Sequence, residues 1–472
     1  MDSSVDIWAS FEFSTAKLGD TRRTRRLIAV AAAFARMPSG KVSHTVVDPA
    51  DREAAYQFME NERVTGAAAA RAAFEATANR CRGLPWAFVP VDGSSLRISD
   101  APHERGTGPI GARTFDARGF EVMSALAVSP DGVPLGLCGQ SWWARPEEKV
   151  AINCEKRKVE EKETRFWLQT NQQARACLAK TGCRPWLQCD RGGDAWPVLL
   201  DAQDEDSWIT VRASHDRRLR GERGAERDYL WPAVHRSAPI GRYQLHVPAR
   251  PKQRERIAVM SVRAVEVTLD LRKLPSDARR PMRVWAVCGH ETAESAGEDE
   301  PLEWMLLTTF PVATFEDACT VLYGYSQRWR IEEFHKAWKS GACNVEQTQL
   351  RSARAIELLG TILAVVATRL LRMTYMSRTT PHIPASTEFS HDEIRAAAAL
   401  TRRPKPRLPD KVTLATVVRW IADAGGYTGK SSGGPPGFIV LGRGLAKLQA
   451  VIAANEPPKK DRRSSASLRS PQ

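Results

Sequence analysis

Two short apolar segments of the chain each run directly into an aspartate. The first extends from Trp86 to Asp92 and is followed by turn-forming residues at 93–95, and the second extends from Pro185 to Asp190. Apolar runs of this length, bounded by turn residues, predict β-strands. A carboxylate at the end of a buried strand is held rigidly at the edge of a sheet, where a ligand can reach it. The same position also suits an ordinary turn or capping residue, so neither aspartate is decisive alone.

Other segments predict the sheet and the helices around these two strands. Apolar stretches at Val122–Val128 and Val133–Leu137 flank the turn Pro130–Gly132, which is typical of a β-hairpin. A segment rich in Lys and Glu, Lys156–Lys180, predicts a helix, and Trp208–Arg212 predicts a further strand. Antiparallel strands followed by strands that alternate with helices indicate a mixed sheet flanked by helices, in the α/β class.

The helical pattern disappears between Ala213 and about Glu300. Alternating stretches such as Gln244–Val247 and Ala264–Leu269 predict instead a β-rich insertion that splits the α/β domain. Helical signal resumes at Glu316. We therefore expect a helical N-terminal domain at 1–75, an α/β domain at 76–376 with its insertion at 213–300, a helical C-terminal domain at 377–456 and a disordered basic tail at 457–472.

An arginine cluster lies at the start of the first predicted helix. The segment Leu18–Met37 has apolar residues at helical spacing, and Asp20 is a plausible N-cap. Its first turns carry Arg22, Arg23, Arg25 and Arg26. A charge run of this kind is either a solvated helix face or a surface that holds a polyanion. A second helix is expected around Asp51–Met59.

The overall charge favours a polyanionic partner such as nucleic acid. Lys and Arg number 69 against 55 Asp and Glu, which gives a net charge of +14 and a pI near 9.5. A merely basic protein remains the alternative. Nine Cys residues are scattered singly, so they indicate reduced thiols in a cytoplasmic protein and neither a disulfide framework nor a C-x-x-C metal pair.

No segment predicts secretion or insertion into a membrane. The N-terminus, Met1–Trp8, lacks the apolar core of a signal peptide. The most apolar window, Leu358–Ala367, is followed by Arg369 and Arg372 and is too short to span a bilayer. We therefore expect a buried helix there and no membrane partner.

The most specific segment is YSQRWRIEEFHKAWK, from Tyr325 to Lys339. It places Tyr325, Arg328, Glu332 and Lys339 at offsets of 0, 3, 7 and 14 residues. At roughly 100° per residue these side chains share a stripe about 60° wide on one helix face. A phenol, a guanidinium, a carboxylate and an ammonium would then converge. The alternative is an exposed helix held by i,i+4 ion pairs such as Arg328 with Glu332.

This segment resembles the Tyr-Arg-Glu-Lys signature of the DDE cut-and-paste transposases of the insertion-sequence-four type. Other segments resemble that family in the same order along the chain. They are WASFEFSTAKLGDTRRTRRL, AAYQFMENERV, VDGSSL around Asp92, CDRGGD around Asp190 and PLEWMLLTTFPV around Trp304. The resemblance covers most of the chain.

The resemblance implies a ribonuclease-H-like catalytic core with a β-rich insertion, between a DNA-recognition domain and a dimerisation domain. It implies that Asp92, Asp190 and Glu332 hold two Mg²⁺ ions, for which Mn²⁺ can substitute, since Mg²⁺ prefers hard oxygen ligands. Tyr325, Arg328 and Lys339 are then expected to contact DNA phosphates, and Trp304 to stack on an extruded base, although core packing also explains an aromatic residue there. Further basic candidates for gripping the duplex are Arg22, Arg23, Arg26, Arg217, Arg218 and Lys336.

The expected activity is that of a bacterial DNA transposase, which cuts transposon ends and joins the 3′-OH to target DNA through a hairpin intermediate. Its partners are double-stranded DNA, as end repeats and target, and a second copy of the chain in a synaptic complex. Two alternatives remain open. One is a ribonuclease-H-like nuclease without strand transfer, and the other is a catalytically silent DNA-binding relative.

Overall fold

A computed structural model describes residues 4–100, 103–111, 117–147, 158–203, 206–220, 228–249, 254–270, 281–401, 412–429 and 434–455. The tail predicted at 457–472 lies outside the described residues, and so do parts of the predicted insertion and the first residues of the helix expected from Lys156.

The described residues alternate between helices and strands after an all-helical N-terminal part. The helices are α1 Ser4–Phe13, α2 Thr21–Arg36, α3 Val42–Thr45, α4 Pro49–Met59, α5 Gly66–Cys81, α6 Thr164–Leu178, α7 Trp196–Gln203, α8 Leu230–Arg236, α9 Ala293–Ala296, α10 Phe315–Ser326, α11 Trp329–Lys339, α12 Ala353–Thr379, α13 His391–Leu400, α14 Leu414–Ala424 and α15 Phe438–Asn455. The strands are β1 Trp86–Arg97, β2 Gly108–Pro109, β3 Arg118–Val128, β4 Pro134–Trp143, β5 Arg184–Cys189, β6 Trp208–Arg212, β7 Gly241–Val247, β8 Arg256–Leu269, β9 Met282–Glu291 and β10 Glu303–Thr308.

These strands form one mixed sheet of ten strands, which confirms the α/β class. The order is β2-β3-β1-β5-β6-β10-β9-β8-β7, and β4 pairs with the free side of β3. Strands β1, β5 and β6 are parallel, whereas β3, β4 and β10 join their neighbours in the antiparallel sense. The predicted hairpin around 130–132 is present as β3 and β4.

The strands of the predicted insertion extend the same sheet. Strand β9 pairs with β10 over six residue pairs, and β8 and β7 follow outward. The alternating segments that predicted this β-structure, Gln244–Val247 and Ala264–Leu269, lie in β7 and β8.

The sheet buries a core on each face. On one face, α10, α11 and α12 pack over residues such as Phe88, Trp186 and Leu306, and on the other face α6, α7 and α8 cover residues such as Leu187 and Cys288. Helix α12 is buried along most of its length, which confirms the buried helix predicted at 358–367. The helix continues past the predicted domain boundary at 376 and ends at Thr379. No helix among the described residues is long and apolar enough to cross a membrane.

Two local predictions are wrong in their limits. Strand β1 does not end at Asp92, because residues 93–97 continue the antiparallel pairing with β3. The helix expected to run through Tyr325–Lys339 is interrupted, since α10 ends at Ser326 and α11 begins at Trp329. The amides of Arg328, Arg330 and Ile331 bond to carbonyls three residues back, so the chain tightens there. Tyr325 and Glu332 therefore lie on different helices.

The N-terminal part agrees with the sequence in its first helix and adds others. Asp20 caps α2, with its carboxylate accepting from the Arg22 amide at 2.8 Å, as predicted. Helix α4 matches the segment expected around Asp51–Met59. The alanine-rich helix α5 has little helical contrast between apolar and polar positions, which is why the sequence pattern did not reveal it.

A test of this packing is the substitution Gly360→Ala in α12. A Cβ atom at Gly360 would overlap the ring of Trp142, which also packs edge-on against Trp338 with ring centroids 5.5 Å apart. Because a ring held between neighbours cannot move freely, we expect a loss of about 1–3 kcal/mol in the free energy of unfolding, measured by urea denaturation. Gly437→Ala, where nothing lies within 4 Å of the added atom, is the control. Equal stability of both variants would contradict this packing.

Candidate active site

The register between two parallel strands places Asp92 and Asp190 side by side. Strands β1 and β5 pair in parallel up to Val91 and Cys189, and the next residue on each strand is an aspartate. Asp190 then caps a short 3₁₀ turn at 191–193, with its carboxylate accepting from the Gly192 amide at 2.8 Å. The two carboxylates therefore meet where β5 ends and β1 leaves it to continue with β3.

Helix α11 brings Glu332 and Arg328 to the same place. The Arg328 guanidinium lies 3.3 Å from Asp92 Oδ2 and 3.1 Å from Glu332 Oε1. The i,i+4 ion pair that the sequence left as the alternative is thus present, and the guanidinium also reaches a strand 236 residues away in the chain. Arg328 is mostly buried, whereas the side chain of Glu332 is 43 % exposed and open to a ligand.

The site carries more negative charge than Arg328 neutralises. Burial, together with the nearby carboxylates of Asp190 and Glu332, raises the pKa of Asp92 to about 7, against the opposing effects of Arg328 and of the Gly93 amide. A carboxyl group in this state binds either a proton or another cation. The arrangement is therefore suited chemically to a divalent metal ion with oxygen ligands.

His335 also belongs to this cluster, and the sequence reasoning missed it. One donor atom from each of Asp92, Glu332 and His335 lies within 4.8 Å of the others, whereas Asp190 lies outside this group. Burial, with the charges of Lys339 and Arg328, lowers the pKa of His335 to about 3, so the imidazole is neutral. Its Nε2 atom has no hydrogen-bond partner among the described residues. The i,i+3 spacing from Glu332 was the available signal.

An aromatic pair lies beside the acids. Tyr325 is buried at the end of α10, and its ring packs edge-on against Trp304 of β10 with centroids 5.5 Å apart and an interplanar angle of 72°. Burial raises the pKa of Tyr325, so its hydroxyl is protonated at neutral pH. Trp304 is only half-buried. Trp329, which the sequence reasoning also did not single out, is 55 % exposed, and Arg328 lies over its ring at 5.3 Å.

The two lysines of α11 differ in their surroundings. Lys339 Nζ donates to Ser94 Oγ at 3.2 Å and lies 3.8 Å from Glu346 Oε1, so it is partly held by protein groups. Lys336 is exposed. Both follow Glu332 along the same helix and add positive charge next to the acids.

The arginines predicted to hold DNA are placed in two ways. Arg22 is 87 % exposed at the start of α2, where Arg23 bonds to the Leu18 carbonyl and Arg26 lies 3.9 Å from Asp51. Arg217 instead forms an ion pair with the buried carboxylate of Asp194, with a separation of 2.6 Å, and Arg218 lies 3.4 Å from Asp270. These last two ion pairs tie the segment after β6 to its surroundings. None of the five is in contact with the acid cluster, and their role in binding DNA stays a prediction.

Comparison with known protein families decides the class of protein. A model described as "Transposase DNA-binding" matches residues 6–64, and a model described as "Transposase Tn5 dimerisation domain" matches residues 365–462. The chain is a Tn5-like transposase. This agrees with the resemblance of the Tyr325–Lys339 segment to the family signature. Within that family, the segment specifically resembles the transposase of the kanamycin-resistance transposon numbered five.

Both ends of this transposase are thus accounted for by family domains. The first match begins within α1 and includes α2 to α4 with the arginines of α2, and the second begins within α12 and includes α13 to α15. DNA and a second copy of the chain are therefore its partners, and the family implies DNA cleavage and transfer with divalent metal ions. Asp92, Asp190 and Glu332 lie outside both matched segments, so these matches do not assign a role to any of the three.

The raised pKa of Asp92 predicts how stability depends on pH in a buffer with a metal chelator. Between pH 4 and 7 the folded protein keeps a proton that the unfolded chain has lost, so stability falls as pH rises through this window and levels off above it. The fall is on the order of 4 kcal/mol at most, since one pKa unit is about 1.36 kcal/mol. Urea unfolding at several pH values should show a smaller fall for Asp92→Asn. An equal fall in both proteins would contradict the raised pKa.

Proposed function

We propose that this transposase cuts the ends of its transposon and joins the freed 3′-OH to target DNA at a site formed by Asp92, Asp190 and Glu332. The observation that carries the proposal is the convergence of these acids from β1, β5 and α11 at one edge of the sheet. The sheet supports a ribonuclease-H-like core, because three antiparallel strands, β4, β3 and β1, are continued by the parallel strands β5 and β6. The domain limits at 75, 376 and 456 are part of this proposal.

The donors fit two Mg²⁺ ions, with Mn²⁺ as a substitute. All three side chains offer hard carboxylate oxygens, and burial together with the neighbouring carboxylates of Asp190 and Glu332 raises the pKa of Asp92 to about 7. When bound, divalent ions polarise the scissile phosphate and stabilise charge on the attacking and leaving oxygens of an in-line displacement. His335 is buried and neutral, and one of its ring nitrogens lies within 4.8 Å of a carboxylate oxygen of Asp92 and of Glu332.

The chain's own groups bind and orient the DNA. Arg328 is paired with the acids in the protein alone, and we propose that it turns to a DNA phosphate when cations take over the charge of the carboxylates. Tyr325 keeps its proton and can donate a hydrogen bond to the same backbone, and Lys339 lies about two turns beyond Glu332 on α11. Such contacts position a duplex without reading its sequence.

Trp304 is proposed to accept a base during formation of a DNA hairpin. A hairpin at the transposon end forces a base near the terminus out of the stack, which costs a few kcal/mol, and stacking on an aromatic ring recovers about 1–3 kcal/mol. Trp304 is half-buried and lies edge-on to Tyr325, next to the phosphate contacts proposed above.

The first test removes the carboxylates one at a time. Asp92→Asn, Asp190→Asn and Glu332→Gln should each reduce DNA cleavage to background while leaving DNA binding near normal, because the basic surfaces are intact. Glu333→Gln is a matched control on α11, since Glu333 pairs with Arg330 and Tyr375, away from the acid cluster. Cleavage of labelled end DNA in Mg²⁺ and in Mn²⁺ measures the effect. Nicking above background by any of the three variants would refute its place in the site.

The second test separates nicking from hairpin formation. Trp304→Ala should slow the hairpin step by roughly 10- to 100-fold, equivalent to about 1.4–2.7 kcal/mol, with the first nick near normal. Trp285→Ala, on the neighbouring strand β9 and also half-buried, controls for loss of packing. Single-turnover assays that resolve nicked, hairpin and released DNA decide the matter. A parallel fall of both steps would make Trp304 a packing residue.

The third test concerns the grip on DNA. Binding should weaken roughly 10³- to 10⁵-fold between 50 and 200 mM salt if several phosphates are contacted. Replacing exposed Arg22 with Ala should reduce the slope of log affinity against log salt by about 0.9. A flat salt dependence would contradict a protein that grips a duplex.

Strand transfer into a second DNA distinguishes the transposase from a nuclease that only cuts.

A further inference from the structure

A second group of metal-binding side chains lies away from the acids, where α8 meets β9 and β10. His235 is the next-to-last residue of α8, Cys288 lies on β9, and Glu303 is the first residue of β10. One donor atom from each of the three lies within 4.8 Å of the others. The sequence pattern gave no sign of this group, since its members are separated by 53 and 15 positions along the chain.

Strand pairing and one helix bring the group together. Strands β9 and β10 are antiparallel, with Glu303 opposite His290 and Met305 opposite Cys288, so the side chains of Cys288, His290 and Glu303 share one face of the sheet. Helix α8 covers this face by burying Leu230 and Val234 in the same core as Cys288. The last turn of α8 is thereby held over the strands and brings His235 to Glu303.

The separations suit ligands of a single ion. His235 Nε2 lies 3.6 Å from Glu303 Oε2, which compares with about 3.3–3.8 Å between two donors on a tetrahedral ion with bonds of roughly 2.0–2.3 Å. The same Glu303 oxygen lies 2.8 Å from His290 Nδ1, so His290 orients the carboxylate from behind. Hydrogen bonds of this kind to a ligating carboxylate are common around metal ions in proteins.

We propose that His235, Cys288 and Glu303 form a binding site for one Zn²⁺ ion, with His290 orienting Glu303. An imidazole, a thiolate and a carboxylate are a donor set of intermediate softness, which favours Zn²⁺ over Mg²⁺. Three protein ligands leave the fourth tetrahedral position to water. The exposed edge of His235 provides the entry path.

The local charges are compatible with a cation. Burial, reinforced by the Glu303 carboxylate, raises the pKa of Cys288 to about 12, although Arg263 opposes this, so the thiol is neutral in the metal-free protein. On binding, the thiol proton passes to solvent, and the thiolate and Glu303 together balance the two charges of the ion. Arg263 lies opposite Cys288 on β8, but it donates to the Ser237 carbonyl beyond the end of α8.

The proposed zinc site lies on the same strand as Trp304. Trp304 follows Glu303 on β10 and points to the opposite face, where it packs against Tyr325. An ion that joins α8 to β9 and β10 therefore stiffens the strand that carries Trp304. The proposed zinc site is independent of the proposed cleavage chemistry, because none of its three ligands belongs to the acid cluster.

The experiment is metal titration of the full-length protein, first freed of metal by a chelator. Excess Mg²⁺ is kept present so that it competes with Zn²⁺ for the carboxylates of the acid cluster. Zn²⁺ content after dialysis gives the stoichiometry, and Co²⁺, which replaces Zn²⁺ in such sites, reports a thiolate ligand through its near-ultraviolet charge-transfer absorption. We expect about one Zn²⁺ per chain, a thiolate band with Co²⁺, and a higher thermal unfolding midpoint with Zn²⁺.

Variants assign the site. Cys288→Ser should abolish the thiolate band, and His235→Ala and His290→Ala should weaken Zn²⁺ binding about 10- to 100-fold. Two controls should bind as the wild type does. His246→Ala removes an exposed histidine that likewise lies 2.7 Å from a glutamate, Glu255, and Cys319→Ser removes a half-buried thiol elsewhere.

Two results would overturn the proposal. Co²⁺ bound without a thiolate band, or Zn²⁺ affinity equal in His235→Ala and His246→Ala, would reduce the cluster to a surface ion pair beside a buried thiol. Because His235 is exposed and Ser is close in size to Cys, both main variants are expected to fold, and circular dichroism verifies this before titration.

Discussion

The parallel pairing of β1 with β5 is the constraint on which the candidate active site depends. The two strands are in register up to Val91 and Cys189, so a shift of one residue would turn one aspartate to the opposite face of the sheet. Burial on both faces holds this register, because Phe88 packs into one core and Leu187 into the other. The antiparallel continuation of β1 with β3 keeps Asp92 within a strand, where backbone pairing on that side makes it rigid.

Electrostatics then sets the state of the site before any partner arrives. Arg328 bridges Asp92 and Glu332, although burial and the neighbouring carboxylates still raise the pKa of Asp92 to about 7. In the proposed function, cations replace the proton and the internal ion pairs of the acids, and this exchange would free the Arg328 guanidinium next to the place where DNA is proposed to lie. The interruption between α10 and α11 matters here, because it lets Tyr325 pack on Trp304 while Arg328 faces the acids.

The two faces of the sheet beside the site have separate roles in our interpretation. One face of β10 presents Trp304 to Tyr325, and the other presents Glu303 to His235 and Cys288. Strand alternation makes such a division possible within two consecutive residues. The strands of the predicted insertion, β7 to β9, are joined to β10 by the hydrogen bonds of one continuous sheet, and β10 carries both Glu303 and Trp304.

The sequence by itself determined the two strands that lead into Asp92 and Asp190, the hairpin at β3 and β4, the Asp20 cap and the buried helix α12, since each depends on local chemistry or on a periodic pattern. It also identified the segment Tyr325–Lys339, but it did not reveal the break between α10 and α11. The hydrogen bonds to carbonyls three residues back at Arg328–Ile331 do not require particular residue types, so the sequence carries no signal for them. Only the tertiary structure showed that Arg217 forms an ion pair with Asp194 and that His335 lies beside the acids. It also showed that His235, Cys288 and Glu303 lie close together. These contacts join residues on separate elements, and their distances follow from sheet register and helix packing, which no local pattern encodes.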